Sequence, residues 1–227
     1  MPPPLDAPPQ RPRRIALYGG TFDPVHHAHL IVAQDALEQL HLDVVLFVPA
    51  YRSPFKAGVA ATDGEHRLAM LRLATDNHPG FGVLDCEIAK AVPSYAIDTV
   101  EDVRAANPGA ELFFLIGEDH ALTLDRWHRW LDLRAMVTFV MQTRHRFESP
   151  QGSGTSNVPA EQSAADAMAL IEPYLIRLPN SRHVDISASE IRRRVAEGRS
   201  IHYLVPPAVA DYIAAHGLYT GGIIARP

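Results

Sequence analysis

The stretch Gly19-Gly20-Thr21-Phe22-Asp23-Pro24-Val25-His26-His27-Ala28-His29 gathers residue types that bind anions. Adjacent glycines let a backbone approach a ligand closely, and free amides at a helix start attract negative charge. His26 and His29 are three residues apart, so on a first helical turn they share a face. Two imidazoles placed this way can donate hydrogen bonds to phosphate oxygens. A Gly-Gly pair or a histidine alone would read as a structural turn with surface histidines; their combination with Asp23-Pro24 favours the phosphate reading. Paired histidines can also ligate zinc, but no third ligand is evident. The glycine spacing of the dinucleotide fingerprint is absent. Asp23 fits equally a contact near the phosphates or a holder of the turn.

A second stretch, Ile186-Ser187-Ala188-Ser189-Glu190-Ile191-Arg192-Arg193-Arg194, places two hydroxyls at a helix start with Ile191 and Val195 on one face. Open amides, Ser187, Ser189 and Arg192 would together hold an anion. An N-capped helix with a solvated basic face has the same pattern.

The first stretch resembles the GGxFDPxHxGH motif, and the second the ISSTxIR motif, of the HxGH nucleotidyltransferase superfamily. From Arg14 to Tyr219, the polar segment near 146–163 aside, the chain is most similar to the bacterial nicotinate-nucleotide adenylyltransferases. Pro93-Ser94-Tyr95, Gly117-Glu118-Asp119, Trp127 and the close from Pro206 to Tyr219 carry that narrower likeness. The resemblance implies ATP and nicotinate mononucleotide as substrates, and Mg2+ that arrives with ATP rather than in a protein metal site. It implies deamido-NAD and pyrophosphate as products.

The resemblance also implies residue roles. His26, His29 and Arg192 would be catalytic. Gly19, Gly20, Thr21, Phe22, Ile186, Ser187, Ser189 and Lys56 would contact ATP. Ser94, Tyr95, Gly117, Asp119 and Trp127 would form the acceptor side, with Trp127 stacked on the pyridine ring. Ala28 stands where the motif has glycine, Ser189 where it has threonine, and Ala96 where a threonine usually follows Ser-Tyr. The last departure touches pyridine recognition. The same chemistry on nicotinamide mononucleotide or another phosphate acceptor is the nearest alternative. A non-catalytic nucleotide-binding regulator is an alternative of a different class.

These residues need a scaffold. Ile15–Tyr18, Val44–Val48, Phe81–Leu84, Leu112–Ile116, Met136–Met141 and Leu175–Leu178 are short apolar runs that read as strands. Between them, Leu30, Ala33, Leu37 and Leu40 recur at helical spacing. Thr62-Asp63-Gly64-Glu65 has the capping-box pattern before a helix, and Ser94 is placed to cap another that runs through Val103. Further helices are expected over Ser187–Glu197 and Pro207–His216. The alternation predicts an α/β fold, a Rossmann-like doubly wound parallel sheet with a C-terminal helical segment. Such sheets bind ligands beyond their carboxyl ends, where Gly19-Gly20 and Gly117 fall. The expected organisation is a disordered leader over 1–14, one domain over 15–220 with a mobile insertion near 146–163, and a tail over 221–227.

Composition narrows the class. The chain has 227 residues and a formal net charge of -5, a poor match for general nucleic-acid binding. A single cysteine, Cys86, rules out an internal disulfide and fits a reducing, cytoplasmic setting; its side chain reads as a small buried hydrophobe. No apolar run is long enough to span a bilayer. Association into a homo-oligomer is left open.

Overall fold

The computed structural model describes residues 11–51, 61–90, 95–142, 171–178, 182 and 184–221. Strand β1 (Arg14–Gly20) is central because its alternate side chains are apolar on both faces. Ile15 and Leu17 enter one buried cluster and Ala16 enters the other. Flanking it are β2 (Val44–Pro49) and β4 (Glu111–Ile116); β3 (Phe81–Val83), β5 (Thr138–Gln142) and β6 (Leu175–Leu178) extend the sheet outward. All pairings are parallel, in the order β3-β2-β1-β4-β5-β6. The order reverses direction between β1 and β4, which opens a crevice at their carboxyl ends.

Helices cover both faces, as a parallel sheet requires. On one side lie α1 (His27–Gln39), α2 (Gly64–Thr75), α7 (Ala188–Ala196) and α8 (Pro207–Ala215), through Ala33, Met70, Ile191 and Val209 among others. The other side takes α4 (Ala96–Ala106) and α6 (Trp130–Leu133), through Ile97, Val100 and Leu133. The short α3 (Cys86–Lys90) and α5 (Glu118–Ala121), with 3-10 turns at Leu124–Arg126 and Glu172–Tyr174, complete the set among the described residues. The fold is the expected Rossmann-like doubly wound α/β sheet with its helical close.

Several boundaries differ from the sequence expectation. Residues 11–14 do not belong to a leader. Arg14 opens β1, its amide donates to Asp43 Oδ2 at 2.7 Å, and Arg11 pairs with Asp43 at 2.9 Å. The cap of α2 is Asp63, whose side chain accepts from the Glu65 amide, rather than Thr62. Tyr95 occupies the N-cap position of α4, one residue later than expected. Met136 precedes β5 rather than opening it. Residues 1–10, the 146–163 segment, Lys56, Ser94 and the Asp119 side chain lie outside the described residues.

Candidate active site

The loop from β1 to α1 is shaped by one aromatic ring. Phe22 takes a left-handed backbone (φ 48) and turns its side chain into the core. There it meets Tyr18, Phe47 and His29 edge-on, with centroids 5.5, 5.7 and 5.0 Å away. A Cβ on Gly20 would fall 2.8 Å from that ring, so only glycine fits before it. Phe22 thus supports His29 from behind, and only its backbone is left to face a ligand.

His26 is the N-cap of α1, and its amide donates to His29 Nδ1 at 3.3 Å. That bond makes Nδ1 of His29 an acceptor, so the ring proton sits on Nε2 and makes Nε2 the donor. The two imidazoles stack, with centroids 3.7 Å apart and planes 22° apart. His26 is buried, and its side chain faces the His29 backbone amide in a reciprocal capping box.

Burial, with a smaller contribution from His27, lowers the His26 pKa to about 4. His26 is therefore neutral at pH 7 in the free protein. Its ordinary value is 6.5, so between pH 6.5 and 4 the unfolded chain binds a proton that the folded one refuses. The stability due to the neutral ring is complete above pH 6.5 and is lost as pH falls toward 4. The loss is on the order of 3 kcal/mol. Urea titrations across that window should show it in the parent protein and not in His26→Asn; superimposable pH profiles would refute it.

A network that sequence reading missed holds this loop. Arg67, in the first half of α2, is 1% exposed. Its guanidinium donates to the carbonyls of Thr62, Thr21, Ala50 and Tyr51 at 2.8, 2.9, 2.7 and 3.3 Å. It thereby ties α2 to the segments that leave β1 and β2. Burial pushes its pKa down from the ordinary value, and Asp23 is the foremost charge opposing that shift. The signal was present: Arg67 stands three and four residues before the buried Met70 and Leu71, so helical spacing alone puts a cation on the core face.

Asp23, preceding a cis peptide to Pro24, is also buried. Its Oδ2 accepts from the Thr62 amide at 3.1 Å and its Oδ1 from the Tyr219 hydroxyl at 2.6 Å. Of the two readings open for Asp23, the geometry displays the holder of the turn.

Helix α7 brings the second stretch to the first. Ser187 caps it by accepting from the Glu190 amide at 3.2 Å, which leaves the hydroxyl proton to donate. Arg192 donates to the Asp23 carbonyl at 2.7 Å and to Ser189 Oγ at 3.2 Å. A cation and the Ser189 hydroxyl it bonds are thus tied to the loop that carries the two imidazoles. The turn after α7 also reaches it, because the Leu204 carbonyl accepts from the His27 amide at 3.0 Å.

Gly117 follows β4 and is the N-cap of α5. Its φ of -79 is ordinary, and a methyl there would meet nothing within 4 Å. Neither conformation nor packing demands glycine at this point. Trp127 is half-buried, edge-on to Phe114 and Phe139 at 5.7 and 6.5 Å, and its indole nitrogen is buried without a partner. Tyr95 is exposed and lies against His128, 4.2 Å between centroids. Cys86 is half-buried, and burial raises its thiol above the usual range; this disfavours the nucleophilic thiolate.

Among the described residues no three His, Cys, Asp or Glu side chains converge to hold a metal ion. No described helix is long and apolar enough to cross a membrane.

Comparison with known proteins agrees with this arrangement. Residues 17–194 match the cytidylyltransferase-like family model. A protein of Gemmatimonas aurantiaca named probable nicotinate-nucleotide adenylyltransferase is 44% identical over 206 residues, 91% of this chain and 92% of that one. One of the same name from Thermomicrobium roseum is 41% identical over 206 residues, 91% of each chain. The solved Plasmodium falciparum nicotinic acid mononucleotide adenylyltransferase complexed with NaAD superposes with a TM-score of 0.70. It is 21% identical, with 93% of this chain and 100% of that chain covered; this likeness concerns the fold alone. With the paired histidines, the arginine and the open β1–β4 crevice in place, the chain belongs to the cytidylyltransferase-like family, among its nicotinate-nucleotide adenylyltransferase relatives.

Proposed function

We propose that the protein moves the adenylyl group of ATP onto the 5′-phosphate of nicotinate mononucleotide, giving deamido-NAD and pyrophosphate. The observation that carries this reading is the stacked His26–His29 pair at the start of α1, tied through Asp23 to Arg192. The attacking group is a phosphate monoester whose second pKa is about 6, so it is ionised near neutral pH and needs no general base. Catalysis then consists of aligning two anions and neutralising charge on the departing pyrophosphate.

In this reading Gly19, Gly20 and the backbone of Thr21 and Phe22 line the nucleotide. His29 Nε2 and Arg192 meet the triphosphate, with Ser187 and Ser189 donating beside them. His26 begins as a neutral ring, and a bound triphosphate would raise its pKa. Lys56 is assigned to the same anion by resemblance, as is Ile186 to the nucleotide. With no protein cage among the described residues, Mg2+ would be held mainly by triphosphate oxygens and water. When bound it would withdraw charge from those oxygens. Gly117, Asp119 and Trp127 are assigned to the acceptor's ribose and ring, and Ser94 and Tyr95 to its carboxylate. The single cysteine fits work in the cytoplasm.

Acceptor choice tests the reading. Open amides at the start of α4 favour a carboxylate. The Tyr95 amide, however, already donates to Asp98 Oδ2 at 3.3 Å, and Ala96 supplies no hydroxyl. We expect kcat/KM for the acid to exceed that for the amide by about tenfold, the worth of roughly one charge-assisted hydrogen bond. Asp98→Asn should widen the gap by withdrawing a competing carboxylate. Pyrophosphate release with both mononucleotides at one ATP concentration measures it. Equal values or a preference for the amide would overturn the acceptor; no release with any phosphate acceptor would overturn the reaction.

A further inference from the structure

We propose that Tyr219, just beyond α8, is a positioning residue for the triphosphate site: its hydroxyl fixes Asp23, and Asp23 in turn seats Arg192. The inference rests on Arg192 as a triphosphate contact, as read above. Three groups from distant parts of the chain converge on Asp23. Tyr219 donates to Oδ1 at 2.6 Å, the Thr62 amide to Oδ2 at 3.1 Å, and Arg192 Nη1 to the backbone carbonyl at 2.7 Å. Asp23 is 6% exposed, so water has little room to replace a lost donor.

The arrangement keeps two parts of one residue apart in role. The carboxylate accepts from two neutral donors, the phenol and the amide, with the Arg67 charge nearby, and the Arg192 guanidinium binds the carbonyl. Arg192 is close enough to Tyr219 for its charge to act on the phenol. Without that hydroxyl, Asp23 Oδ1 is a buried anionic acceptor, and the Arg192 guanidinium is a donor already bonded to the same residue. A carboxylate that recruits Arg192 competes directly with a triphosphate for it. Tyr219 therefore holds Arg192 in reserve for the ligand by satisfying its rival.

The backbone supports a fixed purpose here. Tyr219 has φ 63 and Phe22, beside Asp23, has φ 48. This left-handed region is uncommon for non-glycine residues, and the Tyr219–Asp23 contact ties one such residue to the neighbour of another. Burial, and after it the bond to Asp23, push the phenol above its ordinary pKa, so it remains a donor.

The test is a double-mutant cycle on the full chain, read as the Kd of a non-hydrolysable ATP analogue by calorimetry. Measurements are made well below each variant's melting midpoint, so only folded proteins are compared. Tyr219→Phe keeps the ring and removes the hydroxyl; it should weaken the analogue about fivefold to tenfold, in the range of contact coupling. In an Arg192→Lys background the same change should matter less than about twofold, because the seat it protects is already lost. Equal losses in both backgrounds would show that the hydroxyl merely stiffens the fold, and would overturn the proposal. So would unaltered affinity in Tyr219→Phe while Arg192→Lys weakens binding. If Arg192→Lys itself leaves affinity intact, the reading of Arg192 falls first and this inference with it.

Discussion

Replacing His29 with alanine is expected to lower kcat by about two orders of magnitude or more, the usual effect of losing one preorganised donor to developing charge. The structure makes the expectation atom-specific. His29 Nδ1 accepts from the His26 amide at 3.3 Å, so Nε2 is the donor, and the Phe22 ring behind it fixes the direction. Glutamine can place an N–H near the position of Nε2, whereas asparagine mimics Nδ1. His29→Gln should accordingly keep more turnover than His29→Asn, which should resemble alanine. ATP affinity should change less than kcat in all three, because the ground state has other contacts. Steady-state pyrophosphate release, with ATP affinity measured separately, decides it. Turnover near the parent's in His29→Ala would remove His29 from the transition state.

The largest effect on stability is expected at Arg67. Its guanidinium serves four carbonyls and lies beside the buried Asp23. Arg67→Met fills similar volume but strands those acceptors and leaves a buried carboxylate without its compensating cation. Breaking a buried charge arrangement from one side costs about 3–5 kcal/mol, a large share of the roughly 5–15 kcal/mol of a folded domain. Arg67→Lys keeps the charge but lacks the planar fork, so it should recover part of the loss. Urea denaturation gives the measurement, with a lower midpoint and an unaltered slope. A midpoint shift worth less than about 1 kcal/mol in Arg67→Met would show that the carbonyls find other donors.

The sheet and its flanking helices were legible because strand and helix periods differ and glycine turns mark the carboxyl ends of strands. Much of the site was also legible, because His26, His29, Ser187, Ser189 and Arg192 sit in contiguous motifs near helix starts. What sequence reading missed has a common cause. The bonds from Arg67 and from Tyr219 join residues separated by up to 196 positions, and no local pattern announces a contact of that span. Arg67 could have been suspected from its place on the face of Met70 and Leu71. The hydroxyl of Tyr219 offered no comparable hint. Errors at helix starts, such as Thr62 for Asp63, reflect neighbouring residues that can each cap; packing chooses between them. The short α3, α5 and α6 were invisible because a turn or so of helix carries too little periodicity to read.

The bond from Tyr219 to Asp23 also bears on how the protein is made. Asp23 leaves the ribosome among the first residues and Tyr219 among the last, 196 positions later. At about 5–20 residues per second, that interval is roughly 10–40 s. For most of it the histidine loop has been made and Arg192 has not, and Tyr219 comes only at its end. A nascent chain, or one cut short before residue 219, lacks the donor that Tyr219 gives to Asp23. Translation thus imposes an order on the site: the part that carries the histidines is synthesised first and completed last.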